Sequence, residues 1–311
     1  MKKMTALILC LMLAAACGAS AETVGVIQLV QHPALDAATQ GFVDALKEAV
    51  PDVEVDIQNA AGDSATCAQI ANTFVSNNAA LILGNATPAL QAAVAATGDI
   101  PILGTSITDY ASALEMEGIG QGTATGINVS GTTDLAPLDG QADMITELFP
   151  EAKTVGLLYC SAEANSIYQV ETIRGLLEAK GLTTQDYAFA DSNDVASVVQ
   201  SAVGAVDVLY IPTDNPAASV TETIAGVVIP EKLPVIAGEE GIVKGCGIAT
   251  LTISYYDLGT ETGRMAAQIL KGEAQVSELP IQAAPTFTKK YNAENAAALG
   301  IAIPADYEAI E

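Results

Sequence analysis

Short aliphatic runs alternate along this chain with longer segments whose apolar residues recur every three or four positions. The first aliphatic run covers residues 24–30, and Leu35, Ala38 and Phe42 then follow at the spacing of one helical face. The alternation continues with aliphatic runs at 53–57, 80–83 and 100–103 and helical patterns at 64–76 and 89–97. Continuous aliphatic strands between amphipathic helices predict an α/β fold with a parallel sheet covered on both faces.

The same pattern then begins again, which predicts a second α/β unit. A short strand is predicted at 126–129 and a long helix at 133–149. Further strands are predicted at 154–159, 184–189, 206–212, 234–237 and 248–254, with helices between them. We therefore expect two doubly wound parallel-sheet lobes, the first from residues 22–128 plus 254–284 and the second from 129–253 plus 285–311. The chain would return to the first lobe near Ser254 and cross again near Pro285.

Residues 1–21 have the pattern of an export signal. Lys2 and Lys3 precede an apolar run at 6–16, and small residues end the segment at Ala21. Cleavage after Ala21 would release a soluble protein into the periplasm. The alternative is a lipoprotein anchored through Cys17, although Ala14 stands where such signals carry a larger aliphatic residue. No other apolar run reaches the roughly 18–20 residues of a membrane span.

The composition is strongly acidic, with a formal net charge of −25 over 311 residues. A surface of that sign cannot neutralise phosphates, so nucleic-acid binding is excluded as a function. A solvated acidic surface would instead keep an exported protein soluble and monomeric.

The cysteines give no sign of a disulfide framework or a metal site. Cys67, Cys160 and Cys246 remain after the signal segment, an odd number without short spacings. We expect them to be buried free thiols, and we expect no metal ion or other cofactor.

Polar clusters follow the predicted strands in both lobes, where ligands of open parallel sheets bind. They lie at 31–33, 84–88 and 104–109 in the first lobe and at 161–166, 213–216 and 238–241 in the second. The first-lobe clusters are mostly hydroxyls and amides, which suit a carboxylate, whereas Asp214, Glu239 and Glu240 suit a cation. The combination predicts a site for a zwitterion such as an α-amino acid.

Catalytic interpretations are poorly supported. His32 is the single histidine, so a serine–histidine–aspartate triad would have to use it, and no partner is evident beside it. Glu239 and Glu240 could serve an exported hydrolase or racemase, but adjacent side chains tend to point apart. We predict a protein that is not an enzyme.

Six stretches resemble the exported substrate-binding proteins of ABC transporters, in the group related to tryptophan and tyrosine uptake. They are residues 32–36, 105–109, 161–166, 210–215, 237–241 and 255–259. The resemblance implies a type I periplasmic-binding fold, with two lobes joined by three crossovers and a ligand closed between them. Tyr110 and Asn85 depart from the group's usual residues and leave the ligand's side chain open.

The resemblance also implies residue roles. Ser106 and the 161–166 loop would hold the ligand's carboxylate, and Asp214 and Asn215 would take its ammonium group with Glu240 nearby. The complete predicted ligand-binding set is His32, Pro33, Asn85, Ala86, Ser106, Thr108, Ser161, Asn165, Ser166, Asp214, Asn215, Glu239, Glu240 and Tyr255.

The resulting prediction is a solute receptor that captures a small amino-acid-like ligand, possibly aromatic, by hinge closure and delivers it to an ABC permease in the inner membrane. The alternative is a sensory protein that presents its closed form to a membrane receptor. The sequence does not separate these two partners.

Overall fold

The computed structural model describes residues 22–284 and 286–310. The predicted signal segment with Cys17, its cleavage point at Ala21 and the predicted crossing point Pro285 lie outside these residues. Within the described part of the chain, no helix is long and apolar enough to cross a membrane.

Strands and helices alternate as the sequence pattern predicts. The strands are β1 Thr23–Gln28, β2 Glu54–Asn59, β3 Leu81–Asn85, β4 Ile102–Ile107, β5 Val129–Thr133, β6 Thr154–Cys160, β7 Thr183–Phe189, β8 Val208–Ile211, β9 Val235–Ala237, β10 Ala249–Thr252, β11 Gln282–Ala283, β12 Thr288–Tyr291 and β13 Glu308–Ala309. The helices are α1 Pro33–Ala49, α2 Ser64–Ser76, α3 Thr87–Ala96, α4 Tyr110–Leu114, α5 Leu138–Leu148, α6 Ala164–Ala179, α7 Val195–Ala202, α8 Asn215–Ser219, α9 Thr221–Val228, α10 Glu240–Gly245, α11 Tyr255–Leu270 and α12 Ala293–Leu299.

Two sheets organise these elements into two lobes. The first sheet has the order β11-β5-β4-β3-β1-β2 and the second the order β13-β12-β10-β9-β8-β6-β7. Every pairing in the first sheet is parallel, and β10–β12 is an antiparallel pairing in the second. The α/β fold with two doubly wound lobes is therefore confirmed.

Both faces of the sheets are covered, and β1 shows how. Val24 and Val26 pack with Phe42 of α1 and Met265 of α11, whereas Ile27 faces the opposite core. Successive side chains of a strand point to opposite faces, so a continuous aliphatic strand supplies both cores.

The helices α1 and α11 approach closely because glycines leave room for the backbone. A Cβ atom at Gly41 would overlap the carbonyl oxygen of Tyr256, and one at Gly259 would overlap that of Ala38. This tight pairing fixes α11 to the first lobe after the chain has returned from the second.

The first crossover lies later than predicted. Strand β5 belongs to the first sheet, so the chain leaves the first lobe after Thr133 rather than at residue 128. The predicted helix at 133–149 was likewise wrong at its start, because α5 begins at Leu138. Pro137 precedes it in an extended conformation. Because the residue before a proline disfavours helical backbone angles, Ala136 does not extend the helix toward Thr133.

Two further segments link the two sheets. The chain returns between Thr252 of the second sheet and Tyr255 of α11, and Ser254 caps that helix through the Asp257 amide. It crosses again between Ala283 of β11 and Thr288 of β12.

The three cysteines of the described chain are free and buried, as predicted. Burial raises the pKa of Cys67 to about 11 and that of Cys160 to about 12. These thiols are therefore protonated, unreactive core residues.

Candidate functional site

A polar cavity lies between the lobes, at the carboxyl ends of the strands of both sheets. The space between its surrounding atoms is about 280 Å³, a figure that includes open solvent at its mouth. Its lining consists of His32, Leu35, Ser106, Thr108, Asp134, Asn165, Thr213, Asp214, Asn215, Ala218, Glu239 and Tyr255. Eight of the predicted site residues are among them, so the structure brings the two sets of strand ends together.

Local backbone structure presents the first-lobe side chains to this cavity. His32 is extended after β1, and Pro33 begins α1 directly behind it. Ser106 has a φ of 57°, in the left-handed region, at an irregularity of the β4–β5 pairing. Such strained residues persist where the surrounding fold holds them, often at ligand sites.

Side chains from the two lobes also touch each other across the cavity. His32 Nε2 lies 3.2 Å from Asn215 Oδ1, and the hydroxyls of Thr108 and Thr213 are 3.3 Å apart. These contacts join lobes that the three crossovers also connect.

Three buried polar atoms of the cavity have no hydrogen-bond partner. They are His32 Nδ1, Ser106 Oγ and Asn165 Oδ1. Their side chains are 6%, 7% and 3% exposed. An unpaired buried polar atom costs roughly 1–3 kcal/mol, so three of them around one cavity indicate a place for a polar ligand.

Three buried carboxyl groups line the cavity and a fourth lies against its Asn215, and none of the four has a lysine or arginine within ion-pair distance among the described residues. They are Asp134, Glu163, Asp214 and Glu239. Burial without a cation raises the pKa of each of them, and the neighbouring Asp214 adds to the effect on Glu163. A cluster of this kind favours a cationic group in the cavity.

The four acids are not equally available to a ligand. Asp214 accepts hydrogen bonds from the amides of Cys160 and Ala217, and Glu239 from those of Gly241 and Ile242. Asp214 therefore caps the start of α8 with one oxygen and holds the end of β6 with the other, whereas Glu239 caps the start of α10 with both oxygens.

Asp134 is held differently. It accepts from the Thr108 hydroxyl at 3.1 Å and from the Tyr255 hydroxyl at 2.9 Å. Hydroxyl groups rotate and can also accept, so its oxygens remain open to a further donor. Asp134 directly follows β5, where the chain leaves the first sheet, and Tyr255 begins α11, where the chain has returned to the first lobe.

Two of these acids were not predicted. Asp134 was placed inside the predicted helix at 133–149, and the correct strand end at Thr133 would have identified it. Glu163 lies in the predicted 161–166 loop, where it precedes α6. Its side chain is buried beneath Asn215 instead of facing solvent, which no single-residue pattern indicates. Thr213 belonged to a predicted cluster and was not singled out.

Six predicted residues do not line the central cavity. The Asn85 amide donates to the Leu35 carbonyl and to Thr39, and Ala86 packs in the first-lobe core. The exposed Ser161 donates to the Phe189 carbonyl, and the fully buried Ser166 lies beside Glu163. The last two, Pro33 and Glu240, line a neighbouring cavity, where Glu240 pairs with Lys290 at 2.6 Å.

The buried acids predict a pH-dependent stability of the ligand-free protein. Burial raises the pKa of Glu239 from 4.5 to about 7, so the folded state binds more protons than the unfolded chain between these values. Stability from this group is complete below about pH 4.5 and is lost as the pH rises through about 7. We expect the Tm to fall between about pH 5 and pH 8, measured by scanning calorimetry.

A comparison with Glu239→Gln separates this effect from general charge repulsion. The substituted protein is expected to show a smaller fall of Tm over the same range, even though its Tm is lower throughout. Acids whose pKa is lowered, such as Asp207, titrate below this range and do not contribute. A Tm that stays level or rises with pH would contradict the assignment.

Comparison with known proteins identifies the family. The model of the ABC transporter substrate binding protein family matches residues 23–309. The tyrosine-binding protein of Clostridioides difficile (strain R20291) is 36% identical over 264 residues, which cover 84% of this chain and 75% of that protein.

Solved structures agree with this result. An ABC domain from Streptococcus pneumoniae in complex with L-Trp is 34% identical, with a TM-score of 0.88 over 94% of this chain and 100% of that chain. A ligand-free, open substrate-binding protein with adhesive properties from Clostridium difficile is 36% identical, with a TM-score of 0.69 over 93% of this chain and 99% of that one.

A more distant structure shows the fold alone. The 5-methylthioribose transporter solute-binding protein of Thermotoga lettingae is 12% identical with a TM-score of 0.64, over 86% of this chain and 85% of that chain. With its two parallel-dominated sheets and its match along nearly the whole described chain, this protein belongs to the ABC transporter substrate-binding proteins and has the type I periplasmic-binding fold.

Proposed function

We propose that this protein is an exported receptor that binds an aromatic α-amino acid between its lobes and delivers it to an ABC permease. The observation that carries the proposal is the convergence, from both lobes, of unpaired polar atoms and unneutralised carboxyl groups on one cavity. An amino acid supplies both partners, since its ammonium group suits the acids and its carboxylate suits hydroxyl and amide donors.

The ammonium group is assigned to Asp134. Of the buried acids that line the cavity, it alone caps no helix, and its partners are the rotatable hydroxyls of Thr108 and Tyr255. Asp214 and Glu239 lie beside the same cavity, where a cationic ligand group would favour their ionised forms. The Ser106 hydroxyl has no hydrogen-bond partner and would hold the carboxylate.

An aromatic side chain has room toward the outer mouth of the cleft. A second cavity of about 180 Å³ shares Asn215 with the central one, and Leu29, Val30 and Pro88 form apolar parts of its wall. The relatives agree with such a ligand, since one is a tyrosine-binding protein and another was solved in complex with L-Trp.

Closure of the lobes is part of the proposal. At nearly equal identity, the structure is closer to the L-Trp complex than to the open, ligand-free relative, with TM-scores of 0.88 and 0.69. The contacts of His32 with Asn215 and of Thr108 with Thr213 are of the kind that rotation about the crossovers would make and break.

The remaining parts follow from family membership and the first residues of the chain. Export, cleavage after Ala21, a monomeric state and an inner-membrane permease as partner fit a receptor that acts without catalysis. Anchoring through Cys17 is the alternative to a free periplasmic protein.

A thermal-shift screen of the twenty common amino acids tests the ligand class. We expect L-tyrosine and L-tryptophan to raise the Tm of the chain beginning at Glu22 by several degrees, because ligand at about a hundredfold its Kd adds roughly 2.7 kcal/mol of stability. Stabilisation by small aliphatic amino acids alone, or by none of the panel, would reject the aromatic ligand.

A further inference from the structure

A chain of three buried side chains crosses the cleft from one lobe to the other. His32 of the first lobe meets Asn215 of the second, and the Asn215 amide donates through Nδ2 to Glu163 Oε1 at 2.9 Å. The backbone amide of Asn215 donates to the other carboxyl oxygen, Glu163 Oε2, at 3.0 Å. Each of the three residues is less than one-tenth exposed.

The three side chains fix which atom donates in each of these hydrogen bonds. Burial and the neighbouring Asp214 raise the pKa of Glu163 to about 8. Above that pH the ionised Glu163 can only accept, so both N–H groups of Asn215 are turned toward it and the Asn215 oxygen is turned toward His32. His32 Nε2 must then carry the hydrogen that it donates to this oxygen. In a neutral imidazole the other nitrogen, Nδ1, is left as an acceptor. Burial favours the neutral ring, because it lowers the pKa of His32.

We propose that Glu163 and Asn215 are positioning residues that fix the tautomer of His32, so that its Nδ1 accepts a hydrogen bond from an N–H or O–H group of the bound ligand. The inference deepens the proposed function and rests on it. It assigns to this part of the cavity a ligand group that donates, such as an ammonium, a phenol or an indole N–H, and it rejects a ligand oxygen that can only accept.

The second lobe supplies another unpaired hydrogen-bond acceptor, Asn165 Oδ1. Asn165 donates through Nδ2 to the Thr213 carbonyl at 3.1 Å and lies within 3.3 Å of Glu163 Oε2. Its Oδ1 is therefore the free end of the amide, and it has no partner. His32 Nδ1 and Asn165 Oδ1 are thus unpaired acceptors contributed to one cavity by opposite lobes.

Nitrogen NMR can read the tautomer directly, because His32 is the single histidine of the chain. The protein would be labelled with ¹⁵N-histidine, saturated with L-tyrosine or with L-tryptophan, and measured above about pH 8, where Glu163 is ionised. We expect a neutral ring with the hydrogen on Nε2 and an unprotonated Nδ1. A hydrogen on Nδ1 in the ligand-bound protein would overturn the proposal.

Glu163→Gln should reverse the direction of the hydrogen bonds that join residue 163, Asn215 and His32. The Asn215 backbone amide requires an oxygen at the Oε2 position, so the new amide nitrogen takes the Oε1 position and donates to the Asn215 oxygen. The Asn215 nitrogen then turns to His32 Nε2, and the hydrogen moves to Nδ1. The matched control is Glu171→Gln, an exposed position on the same helix, α6, which should leave the tautomer unchanged. An unchanged tautomer in folded Glu163→Gln would contradict the proposal.

Two substitutions of His32 test the roles of its two ring nitrogens separately and leave Glu163 unchanged. Glutamine can keep a donor near Nε2 for Asn215 and loses the acceptor at Nδ1, whereas asparagine keeps a polar atom near Nδ1 and loses the contact across the cleft. We expect His32→Gln to weaken binding of L-tyrosine by at least about tenfold, with a smaller loss in His32→Asn. Wild-type affinity in His32→Gln would overturn the proposal.

L-Phenylalanine then identifies the donor. A loss in His32→Gln for L-tyrosine, L-tryptophan and L-phenylalanine alike assigns the donor to the ammonium group. A loss confined to L-tyrosine and L-tryptophan assigns it to the side chain. If wild-type protein binds none of the three, the proposed function has failed, whereas binding by wild-type protein with the wrong tautomer means that only this inference has failed.

Discussion

Replacement of Asp134 by asparagine is expected to weaken the binding of L-tyrosine and L-tryptophan by about a hundredfold or more, as measured by calorimetric titration. Removing one member of a buried charge pair typically costs 2–5 kcal/mol, because the remaining charge, here the ligand's ammonium group, is left desolvated. Asparagine has the same shape as aspartate and can still accept from Thr108 or Tyr255, so the fold should be retained.

The control for charge alone is Asp52→Asn, which removes the same charge from an exposed position of the first lobe. Its affinity should equal that of the wild type. If Asp134→Asn binds as tightly as the wild type, the ammonium group is held elsewhere, and Asp214 or Glu239 becomes the first alternative.

Asp214→Ala is expected to lose stability as well as ligand. The carboxylate caps α8 through the Ala217 amide and also accepts from the Cys160 amide, and the residue is 1% exposed. Alanine would leave both N–H groups without a partner inside the protein, at roughly 1–3 kcal/mol for each buried group. We expect a clearly lower midpoint of urea denaturation with an unchanged slope.

Asp63→Ala is the matched comparison, because Asp63 caps α2 through the Thr66 amide in an exposed position where water can replace the carboxylate. Its midpoint should fall by much less. Equal losses in the two variants would show that the buried contacts of Asp214 contribute nothing beyond an ordinary helix cap. The sequence alone would have predicted lost binding in an intact fold, and the two backbone amides are the reason for the different expectation.

The alternation of strands and helices was predictable because a parallel strand covered on both faces has to be apolar throughout. Strand β1 illustrates this, since its residues supply cores on both sides. The same logic placed His32, Ser106, Asp214 and Glu239 at strand ends, and strand ends of two lobes meet at one cleft. Eight of the twelve residues that line the cavity were therefore named from the sequence.

The rest of the site depends on where the chain changes lobes and on how side chains are packed. The start of α5 was misplaced, which hid Asp134 inside a predicted helix. Asn85 and Ser166 are polar residues of the expected type at strand ends or helix starts, yet they are buried and bonded within their own lobes. Spacing along the chain does not separate a polar side chain that faces a ligand from one that supports its neighbour.

The most direct test of the proposed site is a calorimetric titration of the chain beginning at Glu22 with L-tryptophan, tryptamine and indole-3-propionate in parallel. The two analogues each lack one charged end of the amino acid. A site that pairs Asp134 with the ammonium group and polar donors with the carboxylate predicts saturable binding of one L-tryptophan per chain and much weaker binding of both analogues. Binding of indole-3-propionate as tightly as L-tryptophan, or no saturable heat with L-tryptophan or L-tyrosine, would contradict it.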